Sequence, residues 1–415
     1  MNKYTNKILD VINKFDFELD KPIQLHNNDI IKKIMKIIDT YDNFIYNSTY
    51  DIKKIKKLHD KKYPLVYKAY KKTEKNPMSF LEFIQNQHEI NWDSIDINID
   101  DEDRSELNKI LYNNSFVSLD IQHHAETVDL DYIRILTDEF ELFVYSPEGN
   151  ENIKSDINEI IKIIKIMIDI SKEFECKNKK PHIIMFLGKQ KKYLDNNIDI
   201  FTCEHVNSGS TYLENYVSLW RYEEHKKVLI HELVHYYNID FFHTDPYYYT
   251  IDKMLEKHFT VTGVNRPNEI YTESLTVIIY LCYYSNLLND DINKLFLTEV
   301  KFMIFQMAKI INYYNGNSYD QLFTINYKQK TSVLSYYILK TFIIYNIELF
   351  TEYIIKNGLQ CKNNKIEIFS ELLEDVIIKM KDNKNMKNLC DSYLDIIKKN
   401  KDDIFIFKTM RMTCQ

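Results

Sequence analysis

The 415-residue chain is short of the residues that punctuate a fold, with six glycines and seven prolines. That excludes a collagen-like or low-complexity chain. Arginine is also scarce: Arg104, Arg134, Arg221, Arg266 and Arg411 are five among 54 Lys and Arg. Basic charge is not in excess. The formal net charge is −7, which argues against a nucleic-acid partner, since phosphate recognition needs a basic face. The six cysteines (Cys176, Cys203, Cys282, Cys361, Cys390, Cys414) form no Cys-x-x-Cys pair. Scattered thiols point to a reducing compartment, the cytoplasm. The opening residues MNKYTNKILDVINKFDFELD contain no apolar signal-peptide core. The apolar run SLTVIIYLCYY is too short to cross a bilayer, so no membrane association is expected.

What is present is a 45% hydrophobic, 28% charged chain rich in Lys, Asn, Ile, Tyr and Phe. This is the composition of a core-forming globular protein, and the length allows a large domain plus a smaller one, or two to three units. The bias fits an AT-rich genome, such as that of a large DNA virus or a parasite. It makes runs such as KNKK at 177–180 read as solvated loops.

Periodicity divides the chain in three. Residues 1–95 read as a helical N-terminal region, from IIKKIMKIIDTYDNFI (30–45), DIKKIKKLHDKKYP (51–64) and FLEFIQNQHEI (80–90). An acidic stretch from Asp93 marks the boundary. Residues 96–265 read as an α+β unit. SFVSLDIQ, TVDLDYIRIL and FELFVYS are β-rich, INEIIKIIKIMIDISKEF is a helix with an apolar stripe, and PHIIMFLG is a buried strand. VNSGSTYLE reads as a turn and loop, NYVSLWR as a short strand, and EEHKKVLIHELVHYY as a helix. The stretch NIDFFHTDPYYYTIDKM reads as a loop. Residues 266–415 read as a helical C-terminal region that opens with NEIYTESLTVIIYLCYY.

One helix carries a chemical motif, His231-Glu232-Leu233-Val234-His235. Residues four apart share a helix face, so both imidazoles can reach one metal ion. Glu232 sits one step round and reaches a water on that ion, an arrangement suited to metal-assisted hydrolysis. A chance match is expected about 0.02 times in a chain of this composition, so context must carry the reading. Catalytic zinc takes three protein ligands. A metzincin tail is excluded, because Asn238 and Phe241 stand where it needs Gly and His. His243 lies nearby but out of that register. The better third ligand is Glu269 in Asn268-Glu269-Ile270-Tyr271-Thr272-Glu273. Glu269 and Glu273 again share a face, so one carboxylate can ligate while the other holds a ligand histidine through its free N–H.

With both pieces in place, the sequence resembles the gluzincins, zinc peptidases that pair His-Glu-x-x-His with a downstream glutamate, often in an Asn-Glu-x-x-x-Glu setting. The resemblance covers about residues 205–280. It implies Zn²⁺ held by His231, His235 and Glu269, Glu232 as general base, and Glu273 as the acid behind a ligand. It also implies an α+β, zincin-like catalytic domain: a mixed sheet, a backing helix, an edge strand beside the cleft and an active-site helix, with largely helical N- and C-terminal regions. The substrate would be a peptide or protein. Thermolysin-like and M1 aminopeptidase-like members place the glutamate about twenty residues after the second histidine. Met254 and Leu255 occupy those positions here, with Glu256 adjacent. Glu269 lies 34 positions on, a spacing closer to that of the clostridial neurotoxin light chains. The Gly-x-Met-Glu-Asn motif of the M1 aminopeptidases is absent. The alternative is a catalytically inactive binding or structural protein on the same fold, but an intact Glu232 favours an enzyme.

The oxyanion of such a reaction needs a further donor, often Tyr or His. Tyr336 and Tyr337 in SVLSYYILK are candidates, and Tyr247 in DPYYY is another, although with 32 tyrosines each competes with plain packing. NSGST (207–211) reads either as a plain turn or as the edge strand that pairs with substrate. Arg221 and Arg266 precede the two motif helices. Either could bind a substrate carboxylate, but a structural tie between the metal-bearing segments is favoured for both. His123, His124 and His205 read as satisfied polar residues, and a Cys203–His205 thiol site has no other support.

Overall fold

A computed structural model describes residues 3–20, 23–57, 102–176, 179–194, 199–212 and 215–414. The fold is α+β. The N-terminal part contributes α1 (Lys3–Ile12), α2 (Asp29–Asp39) and β1 (Ile52–Ile55). Then follow α3 (Ser105–Tyr112), α4 (Leu119–Thr127), β2 (Leu130–Leu136), β3 (Glu141–Pro147), α5 (Ile153–Glu173) and β4 (His182–Phe186). A short turn of helix, α6 (Cys203–Val206), leads to β5 (Gly209–Tyr212), β6 (Tyr216–Leu219) and the motif helix α7 (His225–Tyr236). Beyond it lie α8 (Tyr248–Glu256), β7 (Thr260–Gly263), α9 (Asn268–Leu288), α10 (Ile292–Tyr313) and β8 (Asn326–Gln329). A π-helical stretch, Leu334–Leu339, runs into α11 (Lys340–Tyr345). The chain closes with α12 (Ile347–Asn357), α13 (Asn364–Lys381) and α14 (Lys384–Lys399).

Six strands make a mixed sheet in the order β1-β2-β3-β4-β6-β5. β3, β4 and β6 run parallel, with β2 and β5 antiparallel on either side of them. The β3–α5–β4 crossover is possible because α5 carries isoleucines at helical spacing, Ile157, Ile160, Ile161 and Ile164, all buried. Each contributes roughly 1.5–3 kcal/mol by leaving water. Alternation along β3 splits its side chains between two cores. Leu142 and Val144 face the large core shared with α5 and α7. Phe143 and Tyr145 face a smaller one with Leu107, Ile110 and Ile121 of α3 and α4. The sheet is thus covered on both sides, and its interior strand β4 is apolar and buried from Ile183 to Phe186, as double burial demands. No helix among the described residues is long and apolar enough to cross a membrane.

Several local expectations are corrected. DIKKIKKLHD starts as strand β1, because Ile52–Ile55 pairs antiparallel with β2. The rest of that segment lies outside the described residues, as do FLEFIQNQHEI and most of the acidic boundary. SFVSLDIQ, expected as strand, enters helix α4, where Ile121, Gln122, Ala125 and Glu126 are buried at helical spacing. His123 and His124 therefore sit on a helix. Of the two readings of NSGST, the edge strand is the one found, as β5 pairs with β6 from Gly209 to Tyr212. DPYYYTIDKM is helical from Tyr248 onward. The C-terminal region also contains a strand, β8, which pairs in parallel with β7.

Candidate metal centre

Helix α7 lies between the sheet and α9, so eleven of its twelve residues are buried. Its start is anchored by Glu224, which holds φ 60 at the N-cap. The Glu224 carboxylate accepts from Met412 N and Thr413 N, each at 2.7 Å, and pairs with buried Lys192. Its end is a turn: Asn238 takes φ 57 and Ile239 N donates to Val234 O at 3.1 Å. That turn brings Asp240 back under the helix. α9 starts at Asn268, just after Pro267, whose φ of −67 suits a helix start. Glu269 and Glu273 then stand one turn apart, facing α7.

Three atoms converge. His231 Nε2 lies 3.1 Å from His235 Nε2. Glu269 Oε2 lies 3.2 Å from the first and 3.4 Å from the second. None of these residues is more than 8% exposed. Tetrahedral zinc with bonds of about 2.0–2.1 Å separates its ligand atoms by about 3.3 Å, so the triangle has the size such an ion needs. Two further facts fit a cation. Glu269 Oε2 is buried with no well-aligned hydrogen bond of its own. The donor set of two imidazoles and a carboxylate is that of catalytic zinc, with a fourth position left towards the cavity. Burial opposes charge on all three groups, but the pairing of the imidazoles with Glu269, Asp240 and Glu273 wins. His231 and His235 are pushed up and Glu269 is held well below the usual carboxylate range.

Both histidines are held from behind. His235 Nδ1 is 2.7 Å from Asp240 Oδ2. Asn268 Nδ2 (3.2 Å) and Thr272 Oγ1 (3.0 Å) donate to that same oxygen. His231 Nδ1 is 2.8 Å from Glu273 Oε1, off the line of a good hydrogen bond but close enough for charge pairing. Glu273 in turn pairs with Lys227 of α7 and, at 3.0 Å, with Lys340 of α11. Burial alone would raise the Glu273 carboxyl, but the two ammonium groups hold it well below its ordinary value. With each Nδ1 turned to a carboxylate, both Nε2 atoms face inward, the orientation that would suit metal ligation.

Glu232 is buried beside the triad but outside it. Thr211 Oγ1, on edge strand β5, lies 2.8 Å from both Glu232 Oε2 and the Glu232 carbonyl. Oε1 points at Gly209, where an added Cβ would come within 2.7 Å of it. The glycine therefore makes room for the carboxylate. Burial raises the Glu232 carboxyl, partly countered by the two histidines.

The triad and Glu232 open onto a cavity of ≈ 530 Å³ whose walls include Phe116, Ser210, His243, Tyr248, Arg266 and Tyr336. Of the two adjacent tyrosines, Tyr336 is on this wall, with its ring centroid 6.4 Å from that of His231. Tyr337 is not. Its hydroxyl donates to Met410 O at 2.7 Å in the core, so its candidacy for the reaction is withdrawn. In the DPYYY segment it is Tyr248, not Tyr247, that faces the cavity. Glu256 has no place in the triad, and His243 contributes wall but no ligand atom. Arg221 is buried and chelates Lys191 O and Glu204 O, a structural tie, but to neither of the two motif helices. Arg266 is exposed on the cavity wall and makes no such tie among the described residues. Asp240 and Thr211 were not legible beforehand. The first depends on the left-handed turn at Asn238, the second on β5 lying along α7.

No family model, curated protein or solved structure matches this chain.

Proposed function

We propose that the protein is a zinc-dependent peptidase of the gluzincin type, with His231, His235 and Glu269 as ligands and Glu232 as general base. The observation that carries this reading is the 3.1–3.4 Å triangle of Nε2, Nε2 and Oε2 atoms. Its spacing is that of a tetrahedral zinc shell. The surrounding order supports it: a backing helix (α5), an antiparallel edge strand (β5) along the cavity, and the motif helix beside it, which is a zincin-like arrangement.

When bound, zinc supplies a Lewis acid for the scissile carbonyl and a water that loses its proton near neutral pH. The rest is the work of the chain. Extended substrate pairs with the outer edge of β5, the last strand of the sheet among the described residues. Glu232 accepts the water proton on Oε1, while Thr211 keeps Oε2 fixed, and it then passes the proton to the leaving amine. Tyr336 donates to the oxygen on which negative charge develops. Asp240 and Glu273 keep the two imidazoles turned inward.

The test is Glu232→Gln, assayed for zinc content and for hydrolysis of an unfolded protein. Zinc should be retained and turnover reduced by about three orders of magnitude or more. Undiminished hydrolysis in this variant would remove Glu232 from the mechanism.

A further inference from the structure

In a chain that uses lysine almost everywhere, the five arginines divide by what their guanidinium groups touch. Arg104 is buried and bonds Ala125 O and Lys56 O. Arg221 bonds two backbone carbonyls in the same manner. Arg411 is buried close to Glu224, and Arg134 lies over the Phe143 ring. Arg266 differs. It is exposed, lines the cavity in front of the triad, and makes no guanidinium hydrogen bond or ion pair among the described residues.

Its position is nevertheless set. Ser335 Oγ donates to its carbonyl at 3.1 Å, and Glu269 N approaches the same oxygen at 3.2 Å. The side chain lies with Cζ 5.5 Å from the centre of the Phe116 ring, a contact that orients a planar cation without using its N–H groups. Among the described residues, the carboxylates on the cavity wall are Glu232 and Glu269. The first is assigned to the water and Thr211, the second to the metal. The guanidinium therefore faces the cavity with its donors unspent, and its rigid fork matches a carboxylate bidentately.

We propose that Arg266 is the specificity-determining residue of this site and seats a carboxylate of the substrate close to the scissile bond. The proposal rests on the peptidase reading above. The carboxylate is either the C-terminal group of the substrate or an acidic side chain.

The probes are two hydroxamic acids, identical except that one ends in a carboxylate and the other in a carboxamide. Their affinities are measured by calorimetry on the zinc-loaded protein and on Arg266→Gln. The wild type should bind the carboxylate form at least about tenfold more tightly, the value of a charged hydrogen-bonded pair. Arg266→Gln should erase that preference while keeping its zinc and its affinity for the carboxamide. Equal affinities in the wild type, or a preference that survives in the variant, overturns the proposal.

A second arm compares hydrolysis of free-acid and amidated peptides, each with an internal Glu or Gln. Loss of cleavage on amidation assigns the C-terminal carboxylate. Dependence on the internal Glu assigns a side chain, and indifference to both overturns the proposal. A protein that needs Glu232 for hydrolysis but shows neither preference loses only the arginine's role. One that prefers the carboxylate through Arg266 but hydrolyses nothing loses only the peptidase reading.

Discussion

Asp240 shows how much of the centre rests on residues behind the ligands. It is fully buried, and one of its oxygens takes His235 Nδ1, Asn268 and Thr272 together. Asp240→Asn keeps the shape and removes the charge. Zinc affinity should fall about 10- to 100-fold, the usual cost of losing such a partner, with all three ligands still in place. Competition with a calibrated chelator measures this, and an unchanged affinity would mean that Asp240 only fills space. The ligands themselves were legible because helical spacing is a local rule: two histidines four apart and two glutamates four apart each predict a shared face. Asp240 was not, because α7 ends at Tyr236 and no helical rule reaches past the turn at Asn238. Tyr336 and Tyr337 could not be ranked by pattern either, since the π-helical stretch Leu334–Leu339 alters the register that decides which ring faces the cavity.

At the scale of elements, long apolar helices and doubly buried strands could be read from sequence and short edge elements could not. α5, β3 and β4 carry enough buried residues for their period to dominate. Ile52-Lys53-Lys54-Ile55 fits a helix stripe and a four-residue strand equally well, and only pairing with β2 decides. β5 contains Gly209 and Ser210, which fit a turn as well as an edge strand, and only pairing with β6 decides. Its glycine makes a local prediction possible. In Gly209→Ala the new methyl group meets Glu232 Oε1 and Val228 Cγ1 at 2.7 Å, so Glu232 or the strand must shift. Overpacking of this kind costs about 1–3 kcal/mol. The variant should keep its zinc and lose hydrolysis, with a modestly lower melting temperature. Full activity in a folded Gly209→Ala protein would show that the base is not held where Oε1 now points.

Across the whole molecule, the C-terminal segment ties the parts together. Residues 409–414 run through the interior behind the His231–His235–Glu269 cluster. Met412 and Thr413 amides bind Glu224, Met412 O accepts from Lys340 at 3.3 Å, and Cys414 N binds Glu299 at 3.0 Å. Lys340 also pairs with Glu273 behind His231, so one lysine joins tail and centre. Lys309 binds Thr409 O at 2.9 Å and Thr409 Oγ1 at 3.1 Å. Burial lowers its pKa to about 7. Below that pH the ammonium is charged in both folded and unfolded chains, and the cost of burying it is constant. Above it the folded protein releases the proton, while the unfolded chain keeps it to about pH 10.4. The unfolded state then binds more protons, so this group makes stability rise with pH from about 7, by at most ~1.4 kcal/mol per unit. Denaturant unfolding of wild type and Lys309→Met across pH 6–9 tests this. The wild type should gain stability relative to the variant as pH rises, and parallel curves would refute it.

The account stands or falls on whether the two motifs hold one ion. The most direct measurement is the metal content of the purified, zinc-supplied protein beside its Glu269→Ala and His235→Ala variants, with folding followed by circular dichroism. The account predicts about one zinc per wild-type chain and its loss in both variants without loss of fold. No bound zinc in the wild type, or zinc retained when Glu269 is removed, would contradict it.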